Sequence, residues 1–211
     1  MVPVPQTSMR PYRGIQPADR QARRRAKLLA AGVDILGSAS DPQALTVRGV
    51  CRQAGLAARY FYESFSDKDE FIGAVFDSVI GQLAATTQAA VASAPPREQN
   101  RAAMANIVRT IVADPRVGRL LFSADLADAL LVRKRAESEA LFVMLSGQHV
   151  GRSFDLGQND RIKATAHFVV GGVGQTLSAW LGGAMSLTAE QLVDQLTSVL
   201  NQLADPALYR A

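Results

Sequence analysis

Residues 46–70 read TVRGVCRQAGLAARYFYESFSDKDE, placing Tyr60, Phe61, Tyr62 and Phe65 close together between Arg48, Arg52 and Arg59 on one side and Lys68 on the other. The whole chain holds only 4 Tyr, 8 Phe and 1 Trp. Aromatic rings bury large apolar areas and belong to a core, whereas arginines and hydroxyls interleaved with them belong to a surface. The stretch therefore has to face two ways. Val47, Val50, Cys51 and Ala54 make a short helix with Thr46 as its cap, ending at Gly55, where a left-handed residue costs little. A second short helix follows from about residue 57 to 63. On it Phe61 and Phe65, four apart, share the face turned to Val47, Val50 and the preceding helix. Arg59, Tyr60, Tyr62 and Glu63 fall on the other faces.

Two short helices around a tight glycine turn make a helix-turn-helix, whose second helix lies in the major groove of DNA. Arginines there bond guanine edges or phosphates, and tyrosine hydroxyls donate to phosphate oxygens. Residues 46–71 as a whole resemble the DNA-binding domain of the TetR family of transcriptional regulators. That family's pattern is Thr-x-Arg, then an Ala-Gly-Val/Leu turn, then an aliphatic or aromatic residue before Tyr, a Phe three later and a Lys shortly after. This chain has Thr46, Arg48, Ala54-Gly55-Leu56, Phe61-Tyr62, Phe65 and Lys68. The resemblance implies that Thr46, Lys68, Tyr62 and Tyr60 hold phosphates and that Arg48 and Arg59 read base edges. Ala57 stands where Ser or Thr commonly caps the recognition helix, Gly49 where an acidic residue is frequent, and Arg59 where Gly or Pro is often found. These departures bear on the operator sequence more than on the fold. Glu63 has three readings: acceptor for cytosine N4, partner of an arginine, or solvent-facing.

Outward from this stretch the charge is uneven. Residues 1–66 carry ten Lys/Arg against Asp19, Asp34, Asp41 and Glu63, whereas the other 145 residues carry thirteen against fifteen. A basic head on a nearly neutral body suits a polyanion partner, the alternative being a merely solubilising surface. The 211 residues, 48% hydrophobic and 20% charged, suffice for a sizeable core. Pro3, Pro5, Pro11, Gly14 and Pro17 break the first segment, which lacks the apolar region of a signal peptide; residues 1–17 read as a flexible basic arm of a cytoplasmic protein. The lone Cys51 excludes an internal disulfide.

Apolar residues recur with helical period throughout, so the expected fold is all-α: a helix-turn-helix head over 18–66 and a helical body over 67–211. The first helix places Ala22, Ala26, Leu29, Val33 and Leu36 on one face, with Arg20, Arg23, Arg24 and Lys27 elsewhere. Ser66 and Asp69 have capping-box spacing ahead of a long fourth helix, whose stripe is Phe71, Ile72, Val75, Phe76, Val79, Ile80 and Leu83 and which ends before Pro95-Pro96. Further helices are expected near 97–113, 115–122, 124–149, 159–184 and 189–204, the last with a Thr188/Gln191 capping box. Arg133, Lys134 and Arg135, followed by Glu137 and Glu139, read as a solvated face.

From Ala164 to Ala189 no residue is charged, but His167, Gln175 and five glycines make this a buried helix rather than a membrane span. Gly171, Gly174, Ser178 and Gly182 form a smooth stripe for close helix approach, and Leu192, Leu196, Val199 and Leu203 an apolar seam on the last helix. The resemblance implies that these two helices join a homodimer as a four-helix bundle, presenting two recognition helices to a palindromic operator; the alternative is that both stripes are monomer core. Phe122, Leu126, Phe142, Phe168 and Trp180, with His167 and Gln175 as buried polar groups, are the candidates for an effector pocket, which predicts a small apolar or aromatic ligand; the alternative is that the five apolar residues are ordinary core. No catalytic or metal site is expected: His149 and His167 have no ligand-spaced partner, and Gly171-Gly172-Val173-Gly174 lacks the strand and the Lys-Ser/Thr of a phosphate loop. The leading reading is a ligand-released repressor without cofactor. The others are a ligand-independent architectural DNA-binding protein and, more distantly, an all-helical enzyme.

Overall fold

The computed structural model describes residues 17–38, 45–123, 129–157 and 159–209, and every regular element among them is helical. In chain order these are α1 (Pro17–Ser38), α2 (Val47–Ala54), α3 (Ala58–Tyr62), α4 (Lys68–Ser93), α5 (Gln99–Ala113), α6 (Pro115–Phe122), α7 (Ala129–Phe154), α8 (Asp160–Leu181) and α9 (Ala189–Gln202), with 3-10 turns at Pro96–Glu98 and Pro206–Leu208. Apart from Pro17, the segment expected to be a basic arm lies outside the described residues, as does Leu126.

Local signals account for most boundaries. The Thr46 side chain accepts from the Gly49 amide, and Gly55 closes α2 with φ +65°. Asp114 accepts from the Arg116 amide at the start of α6, with Pro115 in the first turn, and the Thr188/Gln191 capping box is complete on both sides. The cap of α4 differs from expectation. Asp67 accepts from the Glu70 amide, while Glu70 reaches back to the Ser66 amide and hydroxyl at 2.7 Å. Either residue can cap, and the carboxylate wins because it faces the positive end of a 26-residue helix. Amide donation holds both carboxyls below their usual range, Asp67 by Glu70 and Glu70 by Ser66.

All seven stripe residues of α4 are buried, and α4 packs against α1, α5 and α7, so one apolar core runs from the first helices into the body. Each fully enclosed Phe or Leu contributes on the order of 1.5–3 kcal/mol. Asn106, the buried polar residue of α5, donates to Thr86 and Thr87 of α4 at 3.0 Å each.

Three expectations need correction. The inward line of α1 is Leu28, Ala31, Gly32 and Leu36; Leu29 and Val33 are half-buried, while Ala22 and Ala26 are exposed. Only the second half of α1 is enclosed by α4 and α6, and its first half meets α3 through charged side chains instead. The basic run on α7 is not a solvated face. Lys134 is 18% exposed and pairs with Asp77 and Glu137, and Arg135 is half-buried and donates to the Leu120 carbonyl; Arg133 alone stands out. Nor is α8 enclosed within the single chain: His167 and Gln175 are exposed and Phe168 is 68% exposed. No described helix is long and apolar enough to cross a membrane.

Two glycines let α1 dock. A Cβ on Gly32 would lie 2.4 Å from Val75 Cγ2, and one on Gly37 would lie 2.4 Å from Arg116 Cβ and 2.8 Å from its Cα. At Gly37 the obstacle includes backbone, which has no rotamer to change. Arg116 forks onto Asp114 at 2.8 Å and also bonds Asp34, whose other oxygen accepts from Gln53 at 3.2 Å. Gly37→Ala gains up to roughly 1 kcal/mol of helix propensity but overpacks the α1–α6 contact at a cost of about 1–3 kcal/mol, so a net loss is expected in chemical denaturation. Gly81→Ala is the control: its Cβ would meet nothing within 4 Å, and the same measurement should show a gain. Equal gains at both positions would contradict the close approach.

Candidate nucleic-acid interface

The recognition unit is built on three rings. Phe61, Phe65 and Phe71 are fully enclosed, with centroids 5.0 to 5.5 Å apart in tilted and edge-on pairs. Such pairs add about 0.5–1.5 kcal/mol beyond area burial. They tie α3 and the turn after it to the start of α4. Because Phe61 and Phe65 point inward, Tyr62 must point outward: it is 61% exposed and meets Phe61 edge-on at 5.4 Å. The tight turn before α3 is closed by the Leu56 amide donating to the Cys51 carbonyl at 2.9 Å.

Between α2 and α3 the surface opens into a groove of about 610 Å³, lined by Val47, Arg48, Cys51, Arg52, Leu56, Ala58 and Tyr62. Thr46, Arg48, Ala57 and Arg59 are exposed around it, and Lys68 is half-exposed at the start of α4. The Thr46 hydroxyl oxygen accepts from Gly49, which leaves its proton to donate outward. Ala57 caps α3 with no side-chain bond. The groove and the exposed residues that neighbour its lining in sequence combine an apolar floor with guanidinium groups and hydroxyls, a combination suited to a polyanion.

Tyr60 departs from simple exposure. Its ring is half-buried, with the Arg24 guanidinium 4.2 Å and the Arg59 guanidinium 4.6 Å from its centroid, and its hydroxyl accepts from Arg59 at 2.6 Å. Glu63 pairs with Arg24 at 3.3 Å, so of its three sequence readings the arginine partner is the one observed. Sequence reasoning left out Arg24 and Arg25, whose guanidinium covers the Phe65 ring at 4.7 Å, and gave no role to Arg52. The signal was present in the arginine run 23–25 of α1 and in the charge surplus of the first 66 residues.

The seven candidates for an effector pocket do not come together. Phe122, Phe142 and Trp180 are half-buried against the core, and the Trp180 indole donates to the Leu187 carbonyl at 2.8 Å. His167, Phe168 and Gln175 stand on the exposed face of α8, so the premise that His167 and Gln175 are buried without partners does not hold; Leu126 is outside the described residues. That same α8 face is smooth. Of the expected stripe, a Cβ on Gly174 would meet nothing within 4 Å and one on Gly171 only Glu139 Oε1 at 3.8 Å, whereas Ser178 donates to the Phe122 carbonyl and a Cβ on Gly182 would lie 3.3 Å from the Ser178 carbonyl oxygen, so only the first half of the stripe stands open. On α9 the seam divides: Leu192 and Leu196 are buried, Val199 is exposed, and Leu203 lies between.

No family model matches the chain, and no curated protein matches it. Solved structures do. The fatty acid degradation regulator FadR from Bacillus halodurans aligns over 89% of this chain and 96% of its own at TM-score 0.70 and 14% identity. The FadR of Bacillus subtilis, solved in complex with stearoyl-CoA, aligns over 85% and 97% at TM-score 0.65 and 15% identity. A TetR-like transcriptional regulator from Rhodococcus sp. RHA1 aligns over 90% and 98% at TM-score 0.58 and 19% identity. The chain therefore has the fold of TetR-like regulators, a helix-turn-helix head on a helical body. At these identities the likeness concerns fold, and function rests on the chain's own residues.

Cys51 forms part of the groove wall yet is 5% exposed, and burial pushes its thiol above the usual range. A raised thiol pKa lowers the thiolate fraction at neutral pH. A disulfide reagent at pH 7.5 should therefore react with the native protein at least about tenfold more slowly than with the protein in guanidinium. Equal rates would show that α2 does not shield the thiol.

Proposed function

We infer that the chain is a cytoplasmic transcriptional regulator that binds double-stranded DNA through α2 and α3 as a homodimer, and that it is a repressor released from a palindromic operator by a small molecule. The observation that carries this reading is the two-sided recognition unit: Phe61, Phe65 and Phe71 locked inward, and Arg48, Arg52, Arg59 and Tyr62 presented outward around one groove. Thr46, Lys68 and the tyrosines fit phosphate contacts, and Arg48 fits a base edge. The head comprises residues 18–66, and the body 67–211.

Dimerisation is supported by the open face of α8, where Phe168 and the unfilled glycine positions leave an apolar surface on the single chain. A two-fold pair of recognition helices calls for half-sites about one helical turn apart. Effector response is supported by the contacts of α6, which bonds the head through Arg116 and Asp34 and meets α8 where Ser178 donates to the Phe122 carbonyl at 2.7 Å. A ligand seated near Phe122, Phe142 and Trp180 would move α6, and it weakens DNA binding only as far as it prefers the released state. An apolar or acyl ligand suits these residues, in keeping with the stearoyl-CoA of the B. subtilis protein.

Selection of bound duplexes from a random pool tests the reading. An enriched palindrome is expected, whereas binding without sequence preference would favour an architectural protein. On the selected duplex Arg48→Ala should change base preference, and Lys68→Ala should weaken all sequences alike while reducing the log-log salt slope by about one. Equal loss on operator and random duplex for Arg48→Ala would remove its base-reading role.

The dimer has its own test. Phe168→Glu and Gly174→Leu both alter positions open in the single chain, so the helical circular dichroism of the folded protein should be kept while sedimentation shifts from dimer to monomer. An intact dimer in both variants would refute the α8 interface.

A further inference from the structure

Arg24 and Arg59 come from two different helices, α1 and α3, and share one ring. Their long side chains are ordinarily mobile, but here each is held. Arg59 is bonded to the Tyr60 hydroxyl at 2.6 Å, and Arg24 is bonded to Glu63 at 3.3 Å and to the Arg20 carbonyl at 3.2 Å. Two cations face a single carboxylate, which leaves the cluster one positive charge in excess. Arg59 is fixed by Nη2 alone and Arg24 by Nε and Nη1, so each keeps N–H groups whose direction is already set, and set N–H groups on a cation suit a phosphate. None of Arg24, Arg59 and Tyr60 lines the groove itself, so the pair stands at its flank, where a duplex seated in the groove presents backbone rather than base edges.

We propose that Arg24, Tyr60 and Arg59 form a phosphate clamp beside the recognition groove, in which Tyr60 is the positioning residue and the DNA backbone is the occupant. This rests on the DNA-binding reading above and changes three assignments: Arg59 holds backbone rather than a base edge, Tyr60 positions the arginines rather than holding a phosphate itself, and Arg24 of α1 joins the contact surface. Base discrimination then falls to Arg48 and Arg52, which line the groove. Glu63 acts through Arg24, orienting it while opposing the incoming phosphate by its charge.

The experiment measures affinity against salt concentration for the full-length protein on two duplexes, the selected operator and a random sequence. Arg24→Gln and Arg59→Gln should each weaken both duplexes by the same factor, about tenfold, and lower the log-log salt slope by about one. Tyr60→Phe keeps the ring and loses the hydroxyl, so the slope should stay while both affinities fall a few-fold. Combining Arg24→Gln with Arg59→Gln should cost less than the product of the single losses, because both act through one ring. Glu63→Gln should tighten both duplexes. Circular dichroism melts of each variant separate these effects from misfolding, and Arg24→Lys, which keeps charge without the fork, should fall between wild type and Arg24→Gln.

Loss confined to the operator for Arg59→Gln would make it a base reader and overturn the clamp, as would a salt slope unchanged in Arg24→Gln. Relaxed preference at a single cytosine in Glu63→Gln would likewise overturn its assigned role. If the wild-type protein bound neither duplex, the DNA-binding reading itself would fall, and the clamp with it. Normal wild-type binding with Arg24→Gln unchanged removes the clamp alone.

Discussion

The contact of Phe61 and Phe65 with Phe71 is the constraint from which the surface of the head follows. A helix as short as α3 has no independent stability, since nucleation costs more than its few hydrogen bonds return. Its orientation therefore comes from tertiary packing. With Phe61 of α3 and Phe65 of the turn after it buried against α4, the other faces of α3 have no choice of side, and Arg59 and Tyr62 are delivered to solvent. One apolar interaction thus determines which polar groups are presented and at what spacing.

The same contact makes α4 the shared element of head and body. Its buried stripe meets α1 on one side and α5 and α7 on others, so displacement of α4 or α6 would be transmitted to α1 and hence to the groove. Gly37 and Gly32 permit this close seating, and the Gln53–Asp34–Arg116–Asp114 chain fastens it with polar contacts at the surface. Exposed ion pairs of this kind contribute little stability individually. Their value lies in fixing geometry between α2, α1 and α6.

Much of this was legible in the sequence because the signals were local. The four-residue spacing of Phe61 and Phe65, the Thr46 cap, the left-handed Gly55 and the Thr188/Gln191 box each depend on neighbours a few residues away. What escaped was set by distance. The pairing of Arg24 with Tyr60 and Glu63 joins residues almost forty apart, and no periodicity within α1 reveals it. The exposure of α8 escaped for another reason: an uncharged helix announces that it wants cover, but not whether its own chain provides it. His167 and Gln175 were read as buried on that ground and lie outside. Between Ser66 and Asp67 the choice of cap turned on charge at the helix end, which spacing alone does not weigh.

Amide hydrogen exchange of the full-length protein with and without a random-sequence duplex at low salt asks most directly whether this face meets nucleic acid, since electrostatic binding there needs no knowledge of the operator. Added protection should concentrate in residues 46–68 and the first half of α1, and should vanish as salt is raised. Protection absent there, or confined to α7 and α8, would contradict the head as the DNA-binding surface.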